Sequence, residues 1–384
     1  MHYLDHNATS PLRAGARAAM LDALDAGGNA SSVHEPGRSA RARIDEARER
    51  VARFAGCPAA AAIFTCGGSE ANCLALKGAV AGALAVEDRI TRLFVSAIEH
   101  PSVRATAATL AETVPGLKLS EIPATSDGVL DLSAFRLQLM QGKGRALVSV
   151  MAANNETGAI QDLASVKRVL ATDGGEGWLL HVDAVQAAGR IALSFDADYV
   201  TLSAHKIGGP QGAGALIVKQ GAPLAPLIEG GGQESGRRAG TENVAAIAGF
   251  GTAIAEAGDL DDMPRLASLR DRFEAELLSL APDAVIFCVR VPRLPNTSNF
   301  AIPGLSAETA LIALDLDGVA VSSGSACSSG KVRPSHVLAA MGVDEALARS
   351  ALRVSFGWTS RAEDVDAAIA SLRRLIARRA ALAA

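Results

Sequence analysis

The sequence predicts an α/β chain built on an open, mostly parallel sheet, with a second, smaller α+β domain. Short apolar runs recur through the first two-thirds of the 384 residues, and stretches of helical spacing lie between them. The runs are continuous rather than alternating, as in "AAIFT" and "RALVSVM", which suits strands covered by helices on both faces. Near residue 255 the texture changes to long helical patterns with isolated strand candidates. A chain of this length also exceeds one simple core. Together these observations divide it into a large domain, residues 15–255, and a small one, residues 256–384 joined by residues 1–14.

In chain order, "SARARIDEARERVARFAG" places Ile44, Ala47, Val51 and Phe54 on one helical face and stops at Gly56. The strand candidates follow as "AAIFT", "RLFVSA", "RALVSVM", "WLLHV", "DYVTLS" and "GALIVK". "DDMPRLASLRDRFEAELLSL" reads as a long helix, with strands expected at "SNFAI", "GVAVS" and "LRVSFG". The last helix opens at Ser360 with Glu363 three residues on, a capping-box pattern, and aligns Val365, Ile369, Leu372 and Ile376.

The charge balance, 37 basic against 41 acidic residues, favours neither nucleic acid nor an anionic membrane as partner. A mean hydropathy of +0.21 predicts an apolar subunit interface. No apolar run is long enough to span a bilayer, and "MHYLDHNATSPL" has no signal-peptide pattern. The five cysteines, Cys57, Cys66, Cys73, Cys288 and Cys327, form no Cys-x-x-Cys pair, so neither zinc nor a disulfide framework is expected. A reducing cytoplasm fits that usage.

Chemistry-bearing residues follow the strands. Gly68, Ser69, His100, Asn155, Asp183, Gln186, Ser203, His205 and Lys206 all fall just after apolar runs, where parallel sheets bind ligands. "GGSEAN" is a glycine turn entering a helix, which either holds a phosphate or is a capped tight turn. Asp183 at a strand end is either a helix cap or the partner of a buried cation such as a protonated pyridine. His100 before Pro101 either stacks on a planar ring and moves protons or is hydrogen-bonded in a turn. Lys206, in "SAHKIGGPQGAG", is poorly placed for a solvated charge; desolvated, its amine becomes nucleophilic and suits a Schiff base. Lysine, aspartate, phosphate turn and histidine together describe a pyridoxal phosphate site.

Cys327 stands in "SSGSACSSG", without the bulky neighbours of a core cysteine or the partner of a disulfide. It is either an idle surface thiol or a working one. The other four cysteines read as buried and unreactive, with Cys66 set apart by its place beside the phosphate turn.

From end to end the chain resembles the class V aminotransferase-like pyridoxal phosphate enzymes, and within them the cysteine desulfurases of the NifS/IscS type. The likeness is carried by "YLDHNATSPL", "NNETGAIQDL", "HVDAVQAAG", "SAHKIGGPQGAGAL", "GGGQESGRRAGTEN" and "SSGSAC", in that order. It implies a fold-type I enzyme with a seven-stranded sheet in its large domain. It further implies that Lys206 carries the cofactor, Asp183 pairs with the pyridine nitrogen, His100 stacks on the ring and Gln186 bonds the phenolic oxygen. Gly68, Ser69, Ser203 and His205 then surround the phosphate, and Thr241 reaches the phosphate of the neighbouring subunit of a homodimer. Asn155 and Arg353 hold the carboxylate of L-cysteine, and Cys327 is the nucleophile that becomes a persulfide, with Lys206 and His100 moving protons. An iron–sulfur scaffold or other sulfur-acceptor protein is the implied partner. No metal is implied, a transient iron–sulfur cluster on Cys327 apart. Two positions depart from the family pattern: Ser69 replaces a common threonine and keeps its hydroxyl, and "KVRPSH" is more basic than usual. A transaminase, a selenocysteine lyase and a catalytically silent assembly scaffold are the competing readings.

Overall fold

The computed structural model describes residues 1–175, 177–193, 196–323 and 334–383. A short strand β1 (His2–Tyr3) precedes α1 (Ala14–Ala26) and α2 (Glu35–Ala55). The amphipathic pattern in α2 buries Ala40, Ile44, Ala47 and Val51. Gly56 ends the helix in the left-handed conformation (φ 62°, ψ 34°), which glycine adopts without a Cβ clash.

Seven strands form the central sheet: β2 (Ala62–Thr65), β3 (Ile90–Ser96), β4 (Lys118–Ile122), β5 (Arg145–Met151), β6 (Trp178–Asp183), β7 (Tyr199–Ser203) and β8 (Gly214–Val218). Their order is β2-β8-β7-β6-β5-β3-β4. Only β8 runs against the rest, pairing antiparallel with both β2 and β7. The apolar runs miss β4, because this edge strand exposes Lys118, Leu119 and Glu121 and has no continuous hydrophobic stretch.

Successive residues of a strand face opposite sides, and both sides are covered. On one, Ile63, Leu93, Leu147, Leu179 and Leu216 pack under α3 (Gly68–Ala85) and α4 (Pro101–Thr113). On the other, Phe64, Phe94, Val148, Leu180 and Ile217 pack under α2, α5 (Leu132–Met140), α6 (Leu163–Asp173) and α7 (Val244–Ala257). Each such buried side chain contributes roughly 1.5–3 kcal/mol, which is why the strands read as solid apolar runs.

The rest of the chain adds ten further elements, most of them around a second core. They are α8 (Met263–Leu280), β9 (Val285–Ile286), β10 (Thr297–Ala301), α9 (Ala307–Leu316), β11 (Val319–Ala320), β12 (Ser322–Ser323), α10 (His336–Ala340), α11 (Glu345–Ala348), β13 (Ala351–Ser355) and α12 (Ala362–Ala383). An antiparallel sheet runs β12-β13-β10-β9, and β1 pairs in parallel with β11. Leu4 packs with Leu266, Phe273, Phe300, Phe356 and Leu372, so the N-terminal residues belong to this core. The start of α12 lies one residue later than the sequence pattern suggests, and only half of the expected capping box forms. Arg361 takes the cap position and its N–H donates to Asp364 (2.8 Å). Ser360 is drawn into the preceding turn, where its hydroxyl accepts from the Gly357 N–H (2.9 Å).

Candidate active site

The carboxyl ends of the parallel strands open into a cavity of about 320 Å³. Gly68, Ser69, His100, Asn155, Asp183, Gln186, Ser203, His205, Lys206 and Arg353 all line it. The fold brings them together because Arg353 reaches in from β13 of the second sheet, while the others stand at or after the carboxyl ends of central strands.

The floor is anionic. Asp183, the last residue of β6, is 5% exposed. One carboxylate oxygen accepts from the Val185 N–H (3.0 Å) and the other from the Asn72 side-chain amide (2.8 Å). It therefore anchors the turn after β6 and lines the cavity as well.

One wall is suited to an anion. The N–H groups of the first turn of α3 have no intrahelical acceptor, and its N-cap Gly67 supplies no side chain. Glu70 folds back instead, accepting from the Cys66 N–H (2.8 Å) and from Arg238 (2.8 Å). A Cβ on Gly68 would lie 3.0 Å from Val185 and 3.3 Å from the Ser203 Cβ, so only glycine leaves the helix start open. The Ser203 hydroxyl beside it is buried and has no hydrogen-bond partner among the described residues. An unmet buried hydroxyl next to a helix start calls for a ligand oxygen.

Lys206 rises from the turn after β7, and its Nζ donates to the carbonyls of Asn7 (2.8 Å) and Ala8 (2.6 Å). Burial first, then the Arg353 and Arg190 charges, lower its pKa to about 8, against a weaker pull upward from Asp5 and Asp183. His205, bonded to the Thr9 hydroxyl (3.2 Å), is lowered to about 4 by burial and by Lys206 and Arg190, and is neutral near pH 7. His100 caps α4, its Nδ1 accepting from the Ser102 N–H (3.1 Å). Its ring stays accessible from the cavity, and the surrounding protein lowers its pKa despite the opposing pull of Asp183. Gln186 donates to the Asn7 carbonyl (2.9 Å) and accepts from Arg190 (2.8 Å).

At the opposite end Arg353, on β13, donates to Asp5 (2.7 Å) and to the Asn155 carbonyl (2.9 Å). Its Nε is buried without a partner among the described residues. A cation so placed, beside the accessible Asn155 amide, can receive a carboxylate.

Thr241 is exposed and does not line this cavity. Cys327 lies outside the described residues; Ser322, five residues earlier in the chain, lines the cavity. The four described cysteines are free, and among the described residues no cluster of side chains suits a metal. No described helix is long and apolar enough to cross a membrane. Sequence reasoning passes over Asp5, Asn7, Ala8, Asn72 and Arg190. Two of them act through backbone carbonyls, which carry no residue signature, but Asn72 is a polar residue on a buried helical face and was a legible signal.

The profile of the class V aminotransferase family matches residues 2–368. An IscS-like cysteine desulfurase of Mycobacterium tuberculosis is 41% identical, over 100% of this chain and 99% of that protein. A solved NifS-like protein of Rickettsia africae is 34% identical, with a TM-score of 0.86 over 98% of this chain and 99% of that one. A solved structure of SspA in complex with cysteine is 27% identical, with a TM-score of 0.80 over 94% of this chain and 100% of that one.

Proposed function

The chain belongs to the class V aminotransferase family, beside IscS- and NifS-like cysteine desulfurases, and we propose that it is a cysteine desulfurase itself. L-cysteine is the substrate, and L-alanine and a persulfide on Cys327 are the products. The observation that carries this reading is the placement of the Lys206 amine, with its lowered pKa, in one cavity with Asp183, Ser203 and Arg353.

The residues present fit pyridoxal phosphate. The unpartnered Ser203 hydroxyl and the open start of α3 suit its phosphate, with Ser69 and His205 alongside. Asp183 suits its pyridine nitrogen, His100 its ring face, Gln186 its phenolic oxygen and Lys206 its aldehyde. When bound, this cofactor supplies the electron sink that lets an amino acid's α-proton leave.

The chain's own residues do the rest. Arg353 and Asn155 hold the substrate carboxylate and so fix the α-carbon near Lys206. Lys206 takes the α-proton and returns a proton later; a pKa of about 8 lets the amine do both near neutral pH. His100, with a lowered pKa, is a second proton carrier on the same cavity wall. The Cys327 thiolate forms a bond to the substrate sulfur as the substrate C–S bond breaks. The C–S electron pair stays with carbon, which is protonated to the methyl group of alanine, so no outside oxidant is required.

Thr241 serves the phosphate of the neighbouring subunit in a homodimer. The persulfide passes to a sulfur-acceptor protein such as an iron–sulfur scaffold, in a cytoplasm reducing enough to keep the thiol free.

The test uses purified protein with cofactor and free L-cysteine, with alanine and persulfide measured together. Equal amounts are expected. Lys206→Ala should lose the borohydride-reducible link between cofactor and chain, and persistence of that link would overturn the role of Lys206.

A further inference from the structure

Arg190 is a buried cation without a counter-ion. It is 7% exposed, and no carboxylate pairs with it among the described residues. Burial and the Arg353 charge lower its pKa to about 10, which leaves it charged near pH 7. A charge so placed is costly unless a specific arrangement uses it. Its guanidinium donates instead to oxygens of three chain segments. One terminal nitrogen donates to the Gln186 backbone carbonyl (2.6 Å) and to the Gln186 side-chain Oε1 (2.8 Å). The other donates to the backbone carbonyls of Lys206 (3.1 Å) and His6 (3.4 Å).

These bonds decide which way the Gln186 amide faces. Arginine has no acceptor, so only the amide oxygen can meet Arg190. On the other side the Asn7 carbonyl has no donor, so only the amide nitrogen can meet it (2.9 Å). The orientation is forced from both sides. The same Asn7 carbonyl accepts from the Lys206 amine (2.8 Å), so both of its lone pairs are engaged. Gln186 Nε2 carries two hydrogens, and its one described bond commits only the first. The second is left for a ligand of the cavity that Gln186 lines.

We infer that Arg190 is a positioning residue that fixes Gln186 as a hydrogen-bond donor toward the cavity, and so selects a ligand with an acceptor oxygen at that place. Arg190 does not itself line the cavity. Its planar fork is what matters: two nitrogens reach the turn after β6 and the turn after β7 at once, which the single ammonium of a lysine cannot do. Without the fork the amide oxygen is free to turn toward the cavity, where it repels a ligand oxygen instead of binding it.

This inference rests on the pyridoxal phosphate reading, in which the acceptor is the phenolic oxygen, and the experiment separates the two. The full-length chain, stripped of cofactor, is titrated with pyridoxal phosphate and with its deoxy analogue. That analogue keeps the aldehyde, ring nitrogen and phosphate but lacks the phenolic oxygen. Absorbance gives both Kd values. Arg190→Lys keeps the charge and should weaken pyridoxal phosphate about tenfold, the scale of one misaligned charge-assisted contact, and the analogue by less than about threefold. Equal losses for the two compounds mean a general structural role and overturn the inference, as does unchanged affinity for both. Gln186→Glu is the second variant: it keeps an oxygen for Arg190 and replaces the N–H donor. It should erase the preference for pyridoxal phosphate over the analogue, and a preference that persists refutes the inference. If the unmutated chain binds neither compound, the cofactor reading itself fails, and the inference falls with it.

Discussion

The side-chain amide of Asn72 donates to Asp183 at 2.8 Å and to the Ser102 hydroxyl at 3.0 Å, tying α3 to the end of β6 and to the first turn of α4. One amide nitrogen therefore fixes three elements that converge on the cavity. Asn72 is 1% exposed, so water does not replace it readily.

Asn72→Ala strips one oxygen of the buried Asp183 carboxylate of its donor. The expected cost is about 1–3 kcal/mol, the penalty for leaving a buried acceptor unmet. Urea unfolding should show a lower midpoint with an unchanged slope. A midpoint equal to that of the unmutated chain would mean that Asp183 finds another donor.

A second tie lies beneath the segment "GGGQESGRRAGTEN". Arg48 binds Glu234 through two hydrogen bonds (2.6 and 2.7 Å), and Glu234 also accepts from the Phe64 N–H (3.0 Å). Glu234 and Ser235 both have positive φ, 47° and 57°, unusual for residues with a Cβ. The ion pair holds that strained turn against the sheet. Arg48→Met leaves Glu234 buried and uncompensated, at a cost of about 3–5 kcal/mol. The double change Arg48→Met with Glu234→Gln should recover at least half of that loss in the same unfolding measurement, because no unpaired charge remains.

Buried histidines should make the protein acid-sensitive, opposed over part of the same range by Glu156 and Glu99, which burial raises and which therefore stabilise the fold as they take up protons. Burial lowers His6 to about 3 and His181 to about 4. His181 is held neutral between the Ser149 hydroxyl (2.8 Å) and the Thr201 hydroxyl (3.0 Å). Below their ordinary pKa of about 6.5 the unfolded chain binds protons that the folded chain does not, so stability falls as pH falls. The window runs from about pH 6.5 down to the folded values, where the loss levels off. Each histidine contributes a slope approaching 1.4 kcal/mol per pH unit. His181→Gln should flatten the stability profile between pH 6 and 4, roughly halving the slope these two histidines give it. An unaltered profile would place the acid sensitivity elsewhere.

Much of this architecture was legible because burial on both faces forces solid apolar runs, as in β5 and β6, and polar residues at their ends then stand out. The cavity residues from Gly68 to Lys206 were readable for that reason. β4 was not, because an edge strand does not need the pattern. The holders of Lys206 were hidden too. The carbonyls of Asn7 and Ala8 bind its amine, and any residue could supply them. The cap of α12 shifted by one residue because Ser360 served the turn at Gly357 before it could serve the helix. Local patterns name the candidates; the competing bond in three dimensions decides between them.

Cys327 is the proposed sulfur acceptor, and peptide mass analysis after brief exposure to L-cysteine tests that role. The enzyme with cofactor should carry one added sulfur atom on the Cys327 peptide, with alanine released in matching amount. Cys327→Ala should still bind cofactor and cysteine, because Lys206, Asp183, Asn155 and Arg353 remain, yet form almost no persulfide. Undiminished alanine and sulfide release by Cys327→Ala, or the added sulfur on Cys66 instead, would rule out Cys327 as the acceptor.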